Sequence, residues 1–444
     1  MGDFGHSDPL RVMPDGTVKQ LSLLSGVQVW TVPGRADRPL SRPPADTSPV
    51  SPNDATGACA FCSGRIAETP PEKARRVRTA AGWTTLRGVL PGDWGRTRAE
   101  FRRIPNLFEI VGYQFWARNY DYRPSANLRE QCARYCADAE GRRHVEHILA
   151  VKQETDPASP KELTRLSADE LARRAIGLFA GGHDVIVARR HFVDGARDRS
   201  QLAGSGSLTP EEHAQYMDFT VQTMHELYEQ NRHVRYVAVF QNWLRPAGAS
   251  FDHLHKQLVS IDERPVTARD ELARLRSNPN AYNDLALNVA VQHDLVVAQN
   301  EHAIAFAGFG HRYPTVEIYS TSPVCEPWRQ SEAERADMSA LVHACHAGTG
   351  AEVPCNEEWH HRSPDTDMAM PWRINLKWRV STLAGFEGDT KIYVNTLDPW
   401  HLRDRLVPEL RRLRDSGRLA PGILIGPECP ARYNSLLYNP VLQR

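Results

Sequence analysis

Several things are scarce in this chain. Cysteine occurs eight times in 444 residues. That is too few for a disulfide scaffold, so any close cysteine pair is read first as a metal or redox site in a reducing compartment. No run approaches the roughly 18 consecutive apolar residues of a membrane helix. The stretch from Met1 to Asp15 is polar, without the basic and apolar regions of a secretory leader, and the expected location is cytoplasmic. An excess of one charge is also missing: Lys+Arg and Asp+Glu stand at 54 each. A balanced chain has no electrostatic footprint for nucleic acid. Neither nucleic acid nor membrane is expected as a partner, and small-molecule chemistry is. What is present is 41% hydrophobic residues, enough for a sizeable core. At roughly 150 residues per domain, the length suggests two or three domains.

Residues 1–55 are rich in Pro, Ser and Asp, above all from Pro39 to Asp54. They read as an arm with one strand at Val27 to Val32. Strands are expected over Thr84 to Leu90 and Phe108 to Val111. Residues 125–180 look helical, with a capping box at Ser167 and Glu170. His183 to Arg190 reads as a buried strand. Thr209-Pro210-Glu211-Glu212 opens a helix whose inner face includes Tyr216, Phe219 and Leu227. A strand at Tyr236 to Phe240, a loop at Arg245 to Ser250 and a strand from about His253 to Ile261 follow. The second half repeats the rhythm. It has a strand at Thr315 to Tyr319, a helix capped by Ser331 and Glu334, strands at Ile374 to Thr382 and Lys391 to Val394, and a last helix over about 400–415. This order implies a distant internal duplication with its junction near 275–290. The class is α+β, with antiparallel sheets flanked by helices.

The sharpest signal is Asn242-Trp-Leu-Arg-Pro-Ala-Gly-Ala-Ser250-Phe-Asp-His253-Leu-His255-Lys-Gln257. In a strand, residues 253, 255 and 257 share a face, so two imidazoles and a carboxamide would line a cleft beside a small-residue turn. A neutral imidazole can attack the α-phosphorus of a nucleotide to give a phosphoramidate. Gln257 can donate to a phosphate oxygen without bringing a proton to the reaction, and Ser250 and the backbone at Gly248 can hold phosphates. Taken alone, an HxH pair reads equally well as a surface or metal pair. Arg245, Lys256, Arg189 and Arg190 lie near enough in sequence to neutralise phosphate, although a solvated surface role is the commoner one. Cys59 and Cys62 have CxxC spacing in a loop. Cys132 and Cys136, one helical turn apart, read as small buried hydrophobes.

The Asn242 to Gln257 stretch resembles the galactose-1-phosphate uridylyltransferase family, a branch of the histidine-triad superfamily. The resemblance implies His255 as nucleophile, with Gln257 on the transferred phosphoryl group. It also implies Asn242, Gly248 and Ser250 as contacts to the nucleotide. Leu254 stands where the family commonly has Pro. Cys59-Ala-Phe61-Cys62 looks like the family's zinc knuckle, and His183 to His191 like the strand that ends in a zinc ligand. Together with His253 they imply a structural Zn2+ site of Cys59, Cys62, His191 and His253. Pro105-Asn106-Leu-Phe108 looks like the segment lining the base and ribose pocket, so Asn106 joins Phe61 as a substrate contact. Thr382 to Glu387 resembles the family's C-terminal signature. The family's preceding HxHxE reads Pro371-Trp-Arg373-Ile-Asn375 here. The implied layout is an arm (1–55), a catalytic half (56–285) with a helical insertion near 113–180, and a degenerate second half (286–444).

The leading reading is therefore a nucleotidyltransferase of carbohydrate metabolism. It moves an NMP, with UMP implied by the resemblance, from an NDP-sugar to a sugar phosphate through a nucleotidyl-histidine. Inorganic phosphate as acceptor would make it a nucleotide phosphorylase. A non-catalytic nucleotide-binding protein is the contrasting class, motivated by the eroded second half. A zinc hydrolase with His253 and His255 both as ligands needs a nearby carboxylate, and Asp252 falls on the opposite face. A homodimer is implied by the family alone.

Overall fold

Strand-forming segments from both halves of the chain meet in one sheet. The computed structural model describes residues 8–35, 45–155 and 166–443. Twelve strands run antiparallel across the sheet. The middle of the sheet is a seam between Tyr236–Trp243 and Cys355–His360, with Asn242 opposite Asn356 and Gln241 opposite Glu357. Outward from the seam the first half places His255–Ile261, then His183–Ala188, then Ala99–Pro105. The second half places Arg373–Trp378, then Thr315–Ser320, then Ala303–Gly308 in the same order. The duplication seen in the sequence is thus a repeated strand order on either side of the seam.

Two helices, Pro210–Gln230 and Glu332–Thr349, pack together and cover one face of the sheet. Each opens with the capping box read from the sequence, Thr209 with Glu212 and Ser331 with Glu334. Their apolar stripes, including Tyr216, Phe219 and Leu227 on the first and Met338 and Leu341 on the second, are buried. Because side chains alternate along a strand, the residues between those facing the helices point to the opposite face. That face carries His255, Gln257 and Asn242.

At the seam, the covered face holds a buried ion pair. Lys256 and Glu357, from opposite halves, are fully buried and lie 2.6 Å apart. Glu357 also accepts from Trp359 Nε1 at 2.5 Å and pairs with His346 at 2.8 Å. Burial alone would raise the Glu357 carboxyl, but Lys256 and His346 hold it well below the usual carboxylate range. This corrects the reading of Lys256 as a phosphate or surface cation: strand alternation turns it away from His255 and under the sheet.

The N-terminal segment is fastened to the second half. Leu10–Val12, Val18–Leu21 and Gln28–Thr31 form a small sheet completed by Ile392–Val394, which runs parallel to Gln28–Thr31. Residues 39–44 of the Pro39 to Asp54 stretch lie outside the described residues. Between the first-half strands, helices Tyr113–Tyr120, Ala126–Ala137, Ala139–Thr155 and Ala168–Ala180 are inserted. The last three share a core of their own that contains Cys132, Cys136, Val145 and Leu171. Phe108 to Val111 is not the expected strand. Asn106 Oδ1 accepts from the Phe108 N–H at 2.9 Å and His183 Nδ1 from the Ile110 N–H at 3.1 Å, which diverts this backbone from sheet pairing. The strand lies just before it, at Ala99–Pro105.

Removing one partner of a buried ion pair leaves the other charge uncompensated. Lys256→Met or Glu357→Gln alone is expected to cost about 3–5 kcal/mol, and Lys256→Met with Glu357→Met much less. Denaturant unfolding at constant m-value measures this; single-variant losses under about 1 kcal/mol would show that the pair does not hold the seam.

Candidate active site

The seam strand leaves the sheet at Trp243 through a tight loop. Leu244 has φ +65° and Gly248 φ +91°. The Gly248 conformation disfavours any residue with a Cβ, and a Cβ built there would lie 3.7 Å from Asn242 Nδ2. Glycine therefore lets the turn fold back over Asn242. Ser250 is exposed. The chain then reaches His253 and enters the next strand at His255, so His253 precedes that strand rather than belonging to it.

His253 closes a buried cluster with Cys59, Cys62 and His191. The two sulfurs are 3.8 Å apart, and the four sulfur to Nδ1 distances are 3.4, 3.5, 3.5 and 3.7 Å. A tetrahedral ion with bonds of about 2.3 Å to sulfur and 2.0–2.1 Å to nitrogen has edges of roughly 3.8 and 3.6 Å. The four side chains are thus already spaced to hold such an ion. His253 Nε2–H donates to the Ala188 carbonyl at 2.7 Å, which leaves Nδ1 as the ligand atom.

Two residues on, His255 is 4% exposed. Its Nδ1–H donates to the His253 carbonyl at 2.7 Å. The lone pair is then on Nε2. Burial holds the imidazole down to about 4, so it is neutral at physiological pH. The Phe61 ring lies against it, centroids 5.1 Å apart. Phe61 also packs on Ile104, Val185 and Val187, a small apolar cluster beside His255. The sequence reading missed these three residues; their only signal is alternation along two strands.

Gln257 is held by a relay that was also missed. His183 Nδ1 accepts from the Ile110 N–H, so its other nitrogen carries the proton. That Nε2–H donates to Gln257 Oε1 at 3.0 Å, and Asn106 Nδ2 approaches the same oxygen at 3.4 Å. With its carbonyl occupied, Gln257 presents N–H groups to a ligand. Burial keeps His183 neutral, as the relay requires. Asn106 enters the site through Gln257.

Asn242 is fixed from the second half. Asn356 Nδ2 donates to Asn242 Oδ1 at 2.8 Å, and Arg379 Nη1 donates to Asn356 Oδ1 at 2.7 Å. The Asn242 amide nitrogen is left facing the Gly248 turn. Arg189 and Arg190 are engaged elsewhere, with Glu100 and with Asp194 and Glu212. A larger cavity, about 790 Å3, lies beyond the knuckle among Ile66, Trp94, Arg102 and Phe192; of the site residues it includes Phe61 alone.

A family model described as Domain of unknown function (DUF4921) matches residues 13–438. An ADP-glucose phosphorylase from Arabidopsis thaliana is 21% identical over 380 residues, 83% of this chain and 87% of that protein. The crystal structure of an ADP-glucose phosphorylase from Arabidopsis thaliana with bound ADP-glucose matches with a TM-score of 0.55 at 18% identity, covering 88% of this chain and 97% of the other. A galt-like protein of the same plant matches at 0.52 and 15%, covering 87% and 97%. These likenesses establish a shared fold.

The cluster sets an expectation for metal. Elemental analysis of the purified chain should find about one tetrahedrally held ion per chain. Cys62→Ser should lose it and His255→Ala should keep it; loss in His255→Ala would place His255 among the ligands.

Proposed function

We propose that this chain, which belongs to the family described as Domain of unknown function (DUF4921) and has the galactose-1-phosphate uridylyltransferase-like fold of the histidine-triad superfamily, transfers a nucleoside monophosphate through a covalent intermediate on His255. The observation that carries this is the Nδ1–H bond to the His253 carbonyl, which leaves the Nε2 lone pair of a neutral ring free to attack. Attack by Nε2 forms an N–P bond to the α-phosphorus, and the bridging P–O bond breaks as the remaining phosphate departs with that oxygen. Attack by a phosphate oxygen of the acceptor then reverses the exchange and restores the neutral ring. A Gln257 N–H donates to a non-bridging oxygen as charge gathers there. Its amide neither gives nor takes a proton, which suits transfer to an acceptor rather than base-assisted attack by water. The apolar cluster of Phe61, Ile104, Val185 and Val187 is the floor on which the base would lie.

Zinc held by Cys59, Cys62, His191 and His253 would act structurally, since all four positions of the tetrahedron are protein side chains. A nucleotide-binding protein without chemistry would need neither the fixed tautomer nor the oriented amide. For the donor, an NDP-sugar fits both the resemblance and the relatives. UMP transfer to a sugar phosphate is the reading the family resemblance implies. The ADP-glucose phosphorylase relative supports a second reading, AMP transfer to inorganic phosphate.

Intact-mass spectrometry at mildly alkaline pH, after incubation with UDP-sugars, ADP-glucose and GDP-sugars, should show an NMP adduct whose base names the donor. His255→Ala should show none. Tight nucleotide binding with no adduct from any donor would leave a binding protein instead.

Gln257→Ala is expected to slow adduct formation by about 10²–10³-fold, the usual cost of losing one such donor. His183→Ala should slow it by roughly tenfold, the worth of one hydrogen bond, and should have no further effect in the Gln257→Ala background. Additive losses in single-turnover assays would mean that His183 does not act through Gln257.

A further inference from the structure

A cavity of about 460 Å3 opens on the sheet face that carries His255, across the seam between the halves. Its walls include Asn242, Asn356, Glu358, His360, Arg379 and Thr267. Phe240 pairs with Gln257, so Asn242 faces the same way as Gln257 and His255, one strand over. The cavity therefore begins about 5 Å, one strand spacing, from the nucleophile strand. The Val185 and Val187 floor flanks that strand on its other side. A nucleotide with its base on the floor and its α-phosphate at His255 would direct the remaining group into this cavity.

The charges on the walls do not cancel. Glu358 is paired with Lys377 at 2.6 Å. Burial, with Arg373 and Lys377 nearby, keeps His360 neutral. Arg379 is half-buried, donates to Asn356 and stacks 4.6 Å above the Tyr313 ring. Its Nε is buried without a hydrogen-bond partner among the described residues. No lining carboxylate is left for this guanidinium, whose planar fork of donors suits two oxygens of an oxyanion such as phosphate.

We propose that this cavity is the subsite of the exchanged group and that Arg379 anchors its phosphate. The ligand class is a phosphate dianion, either free or carrying a hexose; the volume lies within the range of small-molecule pockets. The subsite's place in the reaction rests on the nucleotidyl-transfer reading above. By holding Asn356, and through it Asn242, Arg379 also ties phosphate occupancy to the turn beside the nucleophile.

Binding of inorganic phosphate and of glucose 1-phosphate to the full chain, measured by calorimetry without nucleotide, tests the site apart from the chemistry. Arg379→Ala should weaken both at least tenfold and Arg379→Lys should recover part, with metal content and thermal midpoint near wild type. Thr267→Trp, on the exposed opposite rim, should weaken glucose 1-phosphate and spare inorganic phosphate. Discharge of the NMP adduct then separates the two sources: the one that discharges it at low concentration is the acceptor, and Arg379→Ala should raise the concentration needed at least tenfold. Unchanged affinity for both anions in folded Arg379→Ala overturns the proposal, as does a loss confined to glucose 1-phosphate. If no adduct forms in the wild type but anion binding still depends on Arg379, the subsite stands and the transfer reading falls. An adduct whose discharge ignores Arg379 gives the converse.

Discussion

The hydrogen bond from His255 Nδ1–H to the His253 carbonyl, 2.7 Å long, decides which nitrogen of the candidate nucleophile is free. An imidazole in water exchanges between tautomers, and only one presents a lone pair at Nε2. Here the acceptor is the backbone of a residue whose own ring lies in the Cys2His2 cluster, so tautomer and position share one anchor. His253 Nε2–H is tied to Ala188 in turn. The cluster therefore reaches the chemistry through two residues of backbone and contributes no ligand to the reacting centre. This accounts for the cluster lying beside His255 rather than around it.

The same device recurs on the other polar groups. A side-chain amide can be turned end for end at little cost, so an undirected Gln or Asn offers a phosphate oxygen an acceptor as readily as a donor. The His183 relay occupies the carbonyl of Gln257, and Asn356 occupies that of Asn242. Both amides are left donor-outward around one neutral imidazole. Donors fixed before charge develops need no reorganisation when it does.

Which parts could be read from sequence follows from how local each signal is. The caps at Thr209 and Ser331, the helices they open and the repeated element order depend on neighbours in the chain, and they were legible. So was the HxHxQ stretch, because its residue types conflict with a strand that buries apolar side chains. The direction of Lys256 was misread, since alternation places it under the sheet, where the buried Glu357, 101 residues away, compensates its charge. His183, Asn356 and Arg379 act through contacts that span 74, 114 and 23 residues, and no local pattern marks them. Phe108 to Val111 read as a strand from its residue types, whereas turn bonds from Asn106 and His183 decide that backbone.

The second half has the strand order of the first but not its HxHxQ residues, and one position makes the difference plain. Arg373 begins the strand that occupies the place of the His255 strand. It is buried in a bidentate pair with Glu271, beside Tyr282 and Tyr319. A guanidinium is protonated at every physiological pH and has no lone pair with which to attack phosphorus. The copy therefore offers no imidazole at this position, while neighbouring polar residues of its seam strand support the other half. Glu357 pairs with Lys256 beneath the seam, and Asn356 sets Asn242 above it. These adjacent residues point to opposite faces of one strand, so a single seam strand braces the first half on both sides of the sheet.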